Sequence, residues 1–480
     1  MKKVLLVNPP FYRLLGSHYN GNPSGIAYIA STLNKNGYDA WIYNADFIDK
    51  KEYANLKNIF ENSNNYKQYF KNTNHPIWKE VTEKIISFNP DWVGYTCYTA
   101  NIKTIDIISR KIKQRNNRIK QIVGGAHATL DHNILDKMPA INYAVSRDGE
   151  VAVLELISGN NPLYIKGLIF KDKGKTIDNG HADTVDYNSI PFPERDKFWT
   201  IKEGEKEQVD ISYVSTIRGC PYQCSFCASP QCWKGSKTQF RSTESILSEL
   251  VLIKEKYWNK NSQKYDFSAS SNSTSKNKLI IKDNSVVYFV DDAFTSSKKR
   301  TVELLSKMIK NKLNMPWKCE ARADNLDDEI CSLMKKSGCI RIKVGFESGS
   351  NHILKLINKR ETKEQMKRAA NLIKKYNIPF TAYFMTGFPK ETDNDLQETI
   401  DFAKEIKPDF YSLSILAPYF GTKIYYDLQE QGYHLEKYPW EYFYHQTGDL
   451  MVNDCLSKEL VKKFLSLNDW NKENNSKGYI

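Results

Sequence analysis

Apolar positions in the first 160 residues alternate between two patterns. Short, nearly continuous runs at Lys3–Val7, Ala40–Asn44, Asp91–Tyr95, Lys120–Val123 and Tyr143–Val145 read as buried strands. Between them, near Gly25–Asn36, Trp78–Phe88, Ile102–Arg115 and Gly149–Ile157, the apolar residues recur every three or four positions, as on one face of a helix. This alternation predicts a doubly wound, Rossmann-like parallel sheet with ligands at the carboxyl ends of its strands. From about Val209 a second series begins, with strands predicted at Ser212–Ile217, Val286–Val290, Trp317–Ala321, Arg341–Phe346, Thr381–Thr386 and Phe410–Leu416. A helix-like stretch follows each. Six parallel strands with right-handed crossovers fit a partial (βα)6 barrel, whose chemistry would sit at the carboxyl-terminal mouth.

Polar punctuation divides the chain. Around Lys171–Asn188 it turns polar, and Ile190-Pro191-Phe192-Pro193 forces an extended segment. The expected domains are therefore 1–170, a linker over 171–204, a barrel over 205–425, and a short, mostly helical extension over 426–480. Residues 258–279 are rich in Asn, Ser and Lys and read as a disordered insertion in the first crossover. The extension is aromatic, with Tyr438-Pro439-Trp440-Glu441-Tyr442-Phe443-Tyr444, and would either cap the barrel or serve as a packing annex.

The net charge of +13 raises nucleic acid as a partner, but the lysines are spread along the chain among many asparagines, which favours solvated faces. No signal peptide is expected after Met1-Lys2-Lys3, and no run of 18 apolar residues would span a membrane. The expected setting is a reducing cytoplasm. Nine cysteines, an odd number at low density, do not make a disulfide framework.

Three of those cysteines carry the chemistry. Cys220, Cys224 and Cys227 stand four and three residues apart in a loop that directly follows the first barrel strand. Such a loop can turn three thiolates toward one iron–sulfur cluster and leave one iron open to a small molecule. Structural zinc would want a fourth ligand, and the nearest cysteine is Cys232. Cys97, Cys319, Cys331, Cys339 and Cys455 have no ligand-like spacing and read as packing residues. Other strand ends carry Asn8-Pro9-Pro10, Tyr98-Thr99-Ala100 and Gly124-Gly125-Ala126-His127, where paired glycines let a ligand approach the backbone.

Together, Arg218-Gly219-Cys220-x3-Cys224-x2-Cys227 and the segments Phe289–Phe294, Trp317–Asp324, Gly345–Ser350, Gly387–Thr392 and Ala417–Thr422 resemble the radical S-adenosylmethionine (SAM) enzymes that carry an amino-terminal cobalamin-binding domain. The resemblance covers about residues 1–425. It implies a [4Fe–4S] cluster on Cys220, Cys224 and Cys227, with SAM on the open iron. The cluster's electron would cleave SAM to a 5′-deoxyadenosyl radical. Arg322 and Glu347 would face SAM. Asn8, Pro10, Thr99, Gly124, Gly125 and His127 would line the cobalamin site. The Asp-x-His-x-x-Gly cobalt-ligand motif of other cobalamin proteins is absent, and Ser146-Arg147-Asp148-Gly149-Glu150 departs from a more usual Gly-x-Gly-Glu.

The implied activity is methylation of an unactivated carbon in a small-molecule or lipid-like substrate, with a reductant such as flavodoxin or ferredoxin. The alternatives are a cobalamin-dependent radical cyclase or rearrangement enzyme, a methylthiotransferase acting on tRNA or protein, and a non-enzymatic redox or cobalamin sensor. A methylthiotransferase needs three further amino-terminal cysteines, and only Cys97 precedes Cys220. No single catalytic acid or base stands out.

Overall fold

A computed structural model describes residues 1–16, 21–47, 66–199, 212–257, 286–445, 448, 450, 452–453 and 455–469. The expected insertion at 258–279 lies outside them. The chain divides into two compact units: 1–209 with 227–237 and 418–449, and 210–226 with 238–417 and 450–480.

In the first unit, strands β1 (Lys3–Asn8), β2 (Asp39–Asn44), β3 (Trp92–Thr96), β4 (Lys120–Gly124) and β5 (Tyr143–Val145) pair in parallel in the order β2-β1-β3-β4-β5. After its first residue β1 is buried throughout, as a parallel strand covered by helices on both faces must be. Chain order reverses between β1 and β3, so their carboxyl ends flank the crevice where such sheets take ligands.

The polar stretch after Lys171 is more than a linker. Strands β6 (Leu168–Asp172) and β7 (Lys175–Asp178) form a hairpin that extends the sheet antiparallel from β5. Its tip, Lys173-Gly174, has positive φ at both residues (46° and 81°), the conformation a tight two-residue hairpin requires.

In the second unit, β8 (Tyr213–Val214), β11 (Val287–Phe289), β12 (Trp317–Ala321), β13 (Cys339–Glu347), β14 (Phe380–Thr386) and β15 (Phe410–Ile415) lie side by side in chain order, all parallel. The first expected barrel strand is shorter than the sequence suggested. The chain leaves β8 at Val214, then β9 (Ile217–Arg218) pairs with β10 (Gln239–Phe240) as a separate two-stranded ribbon. That break delivers the chain into the cysteine loop. One face of the six-stranded sheet is a continuous core in which Phe346, Phe384 and Phe402 meet ring to ring.

The helices behind the strands start abruptly. Asp327, Thr362 and Thr392 each accept a hydrogen bond from a first-turn backbone N–H, which satisfies donors a helix cannot pair by itself. Residues 450–469 also belong here: Asn453 Nδ2 donates to the carbonyls of Phe388 and Glu391, and helix Lys458–Ser466 packs on helix Asp393–Ile406. No helix among the described residues is long and apolar enough to cross a membrane.

Glu391 shapes the loop after β14. One carboxylate oxygen accepts from the N–H groups of Gly387 (2.6 Å) and Phe388 (3.0 Å) and from the Thr386 hydroxyl (3.2 Å). Burial outweighs those bonds and pushes its pKa up to about 7. The folded state therefore holds this proton more tightly than the unfolded chain, so the contribution of Glu391 to stability is largest in acid. That contribution falls as pH rises from about 4.5 to about 7. Glu391→Gln should remove the dependence, gaining on wild type by about 3 kcal/mol across that window in chemical denaturation series.

Candidate functional site

The barrel end of the cysteine loop is anchored before its first cysteine. Asp291, just past β11, accepts from the backbone N–H groups of Thr216 (2.6 Å) and Ile217 (3.1 Å) and from the Thr216 hydroxyl. These bonds do not offset its complete burial, which holds the carboxyl up at about 6. Further on, Ser225 N–H donates to the Ile357 carbonyl (2.9 Å) and Asn358 Nδ2 to the Gln223 carbonyl (2.6 Å). The loop is thus stitched to the turn that follows helix Asn351–Leu356.

Arg322, at the carboxyl end of β12, sits at the centre. Its guanidinium forms a two-bond fork with Asp324 (3.0 Å each), donates to the Lys359 carbonyl (2.7 Å), and directs Nη1 at Cys224 Sγ (3.7 Å). Its plane lies over the Tyr222 ring at 3.9 Å. Four of the five N–H donors are engaged, leaving one on Nη1. Lys359 joins Glu347 (3.1 Å) and Glu361 (3.6 Å), and Glu361 also lies 3.5 Å from Arg322. All four side chains are buried. The sequence singled out Arg322 and Glu347, and the fold joins to them Lys359, Glu361 and Asp324, which it did not single out. Charged residues spaced this way along one chain give no periodic signal.

Glu347 ends β13 in an unusual backbone state. Its φ is +67°, and the pairing with β14 slips between Gly345 and Glu347, a bulge that turns the carboxylate toward Lys359. Gly345 leaves room for that ion pair. A Cβ would collide with the Glu347 carboxylate and lie 3.2 Å from Lys359 Nζ.

The thiols respond to these surroundings. Burial, with Asp292 and Cys224 adding to it, pushes Cys220 up to about 11 against the opposing Tyr222 N–H and Arg322. Burial also raises Cys224, opposed by Lys359 and Arg322. Both cations would offset the negative charge of bound thiolates, so the donor set suits an iron–sulfur cluster, and loading it releases protons. Among the described residues no three His, Cys, Asp or Glu side chains converge on one ion. A four-iron cluster takes each thiolate on a different iron and needs no such convergence. Cys97, Cys319, Cys331 and Cys339 are buried as expected of packing residues, whereas Cys455 is exposed.

Cys227 opens the segment 227–237, which packs within the first unit. There Arg147 holds it. The guanidinium donates to the Cys232 carbonyl (3.0 Å), the Ser236 hydroxyl (2.8 Å) and the Lys234 carbonyl. Arg147 has φ +70°, where a glycine would be at ease. The departure from Gly-x-Gly-Glu at this turn therefore supplies a tether.

The predicted cobalamin residues gather at the carboxyl edge of the first sheet. Asn8 ends β1 and donates to Asn44 (2.9 Å), and Pro10 is buried just beyond. Thr99 follows β3, and Gly124 ends β4. Gly125 has φ +106°, and a Cβ there would lie 2.9 Å from the Cys97 carbonyl oxygen, so the backbones touch as a close-fitting ligand loop requires. His127 is locked away. Nδ1 meets the Thr99 hydroxyl (2.9 Å), Nε2 lies 3.4 Å from Asp131 outside hydrogen-bond geometry, and its side chain is 0% exposed. Burial lowers its pKa, leaving a neutral ring.

Phe420 and Trp440 cover that ring at 5.5 and 5.1 Å between centroids, and Lys137 stands 4.3 Å over Trp440. The aromatic extension therefore belongs, up to residue 449, to this unit.

A B12 binding domain model matches residues 14–157, and a radical SAM superfamily model matches residues 278–403. The chain is similar to an uncharacterized methyltransferase of Pyrococcus horikoshii, 26% identical over 88% of this chain and 82% of that protein. It is also similar to the anaerobic magnesium-protoporphyrin IX monomethyl ester cyclase of Rubrivivax gelatinosus, 25% identical over 97% and 76%. The structure of the radical SAM methyltransferase TsrM from Kitasatospora setae, with cobalamin and a [4Fe-4S] cluster bound, superposes with a TM-score of 0.64. That match is 17% identical and covers 90% of this chain and 78% of TsrM.

Two outcomes follow from the geometry. Arg322→Gln should cost about 3 kcal/mol in denaturant, because it takes a cation from the buried carboxylate of Glu361 and breaks the fork to Asp324. It should also speed chelator removal of iron from the loaded protein. His127→Ala should lower stability by about 2–4 kcal/mol yet leave the visible spectrum of bound cobalamin unshifted, because the imidazole is sealed from any ligand.

Proposed function

We propose that this chain, a radical SAM enzyme with a B12 binding domain ahead of its barrel, transfers a methyl group to a carbon atom of a small organic substrate. The observation that carries this reading is a cysteine loop fixed by Arg322 at the carboxyl ends of a parallel barrel sheet, in a chain that also presents a switch-point sheet with Gly125 at its edge. When bound, the [4Fe–4S] cluster and SAM supply hydrogen-atom abstraction from unactivated carbon, and cobalamin supplies a transferable methyl group.

The chain's own residues position and shield. Cys220, Cys224 and Cys227 hold the cluster, and Arg322 fixes Cys224. Glu347, tied to Lys359 through one oxygen, offers the other to an ammonium or ribose hydroxyl of SAM. The free N–H of Arg322 is available to the SAM carboxylate. Asn8, Pro10, Thr99, Gly124 and Gly125 bound the cobalamin cleft, while His127 supports it from beneath its aromatic cover. An electron enters from a small reductant protein of the flavodoxin or ferredoxin kind.

Likeness to the cyclase over 97% of the chain favours ring formation as the second reading. Methylthio transfer has less support: Cys97, the one cysteine before Cys220, is fully buried, and burial pushes its thiol far up. Anaerobic turnover with methyl-labelled SAM, cobalamin and candidate substrates separates these. Label in the product supports methyl transfer, whereas 5′-deoxyadenosine with an unlabelled, newly cyclised product overturns it. Alanine at Cys220, Cys224 or Cys227 should each lower 5′-deoxyadenosine formation at least a hundredfold.

A further inference from the structure

On the barrel sheet one face of each strand is apolar and packed under helices, and the other is partly open. On β11 through β14 the open face carries Tyr288, Lys318, Glu320, Arg341, Lys343 and Tyr383. Strand register sets Tyr288 beside Lys318, Lys318 beside Arg341, and Glu320 beside Lys343. The Tyr288 hydroxyl donates to Glu320 (2.6 Å), Lys343 donates to Tyr288 (3.0 Å), and the Tyr383 hydroxyl reaches the same Glu320 oxygen at 3.4 Å.

Glu320, with Asp409 acting on Arg341 through charge alone, therefore answers three cations. Lys343 lies 3.9 Å from Glu320, a loose pair. Lys318 stands over the Tyr288 ring at 5.0 Å and Arg341 over the Phe410 ring at 4.3 Å. Neither side chain has a hydrogen bond or ion pair among the described residues. Burial, reinforced by the two other cations, lowers Lys343 to about 8. Like charges half-withdrawn from water repel and are poorly solvated, an arrangement a purely structural sheet face would replace with apolar packing.

We propose that this face binds an oxyanion of the substrate, a carboxylate or phosphate, so that the substrate is an organic acid or a phosphate ester oriented by Arg341, Lys318 and Lys343. An anion would complete the charge balance, and the fork of Arg341 suits either group. The inference rests on the enzymatic reading above and adds to it that this sheet face receives the substrate.

Calorimetric titration of the full chain with pyrophosphate and with citrate, at ionic strength balanced by chloride, tests it. At least one should bind above the chloride control, and the preferred anion assigns phosphate or carboxylate. Lys318→Gln removes a cation with no hydrogen-bond partner, so the fold should survive, as near-ultraviolet circular dichroism would verify. It should weaken binding at least fivefold, as should Arg341→Gln, while the exposed control Lys310→Gln leaves it unchanged. Absence of binding, or affinities in both variants within twofold of wild type, overturns the proposal. Formation of 5′-deoxyadenosine by the wild type reports separately on the enzymatic reading. Its presence without anion binding sinks this inference alone, and its absence with anion binding intact sinks that reading and leaves only the anion site itself standing.

Discussion

Everything at the barrel end depends on one buried cation. Arg322 is charged at any ordinary pH and has almost no water around it, so it must find its partners within the fold. It finds Asp324 two residues on, and Glu361, the Lys359 carbonyl and the Cys224 sulfur on segments far apart in sequence. Glu361, buried with it, leans on both Arg322 and Lys359. The cysteine loop thereby acquires a fixed address even though it has almost no regular structure of its own. Glu347 shares this fate: its left-handed backbone is tolerable because Lys359 repays the strain with an ion pair.

Both units exploit the same property of parallel sheets. Strand termini on one edge release loops whose backbone groups are not committed to the ladder, so chemistry collects there, while helices seal both faces of the first sheet and one face of the second. At the first edge the result is a dry, aromatic surround, with Trp440 and Phe420 over a neutral imidazole. At the second it is an ionic surround. The difference follows from the side chains those loops carry, on the same backbone plan.

Strand positions were legible because buried parallel strands are short apolar runs and the helices between them keep their period. Trp317–Ala321 and Tyr143–Val145 coincide with the predicted runs residue for residue. The hairpin Leu168–Asp178 was missed because β7 is almost entirely exposed and so has no apolar alternation to read. The cysteine spacing announced itself, but its support did not. Lys359 and Glu361 are two charges in a polar turn until the fold brings them to Arg322. The aromatic extension was visible as composition, yet the surface it covers is set by tertiary packing. The charged face of the barrel sheet was invisible too, since Lys318, Arg341 and Lys343 look like ordinary solvated residues in a lysine-rich chain.

Arg147 shows how a backbone preference can become an evolutionary trap. Its left-handed conformation is one that glycine adopts freely and arginine only under strain, so on local grounds any drift at this codon toward glycine would be welcome. Yet the guanidinium grips three points of the segment that begins at Cys227, and a glycine there could grip none. Backbone ease and anchorage are thus mutually exclusive at one position. Glycine in place of this arginine would relax the backbone and release the segment in one step.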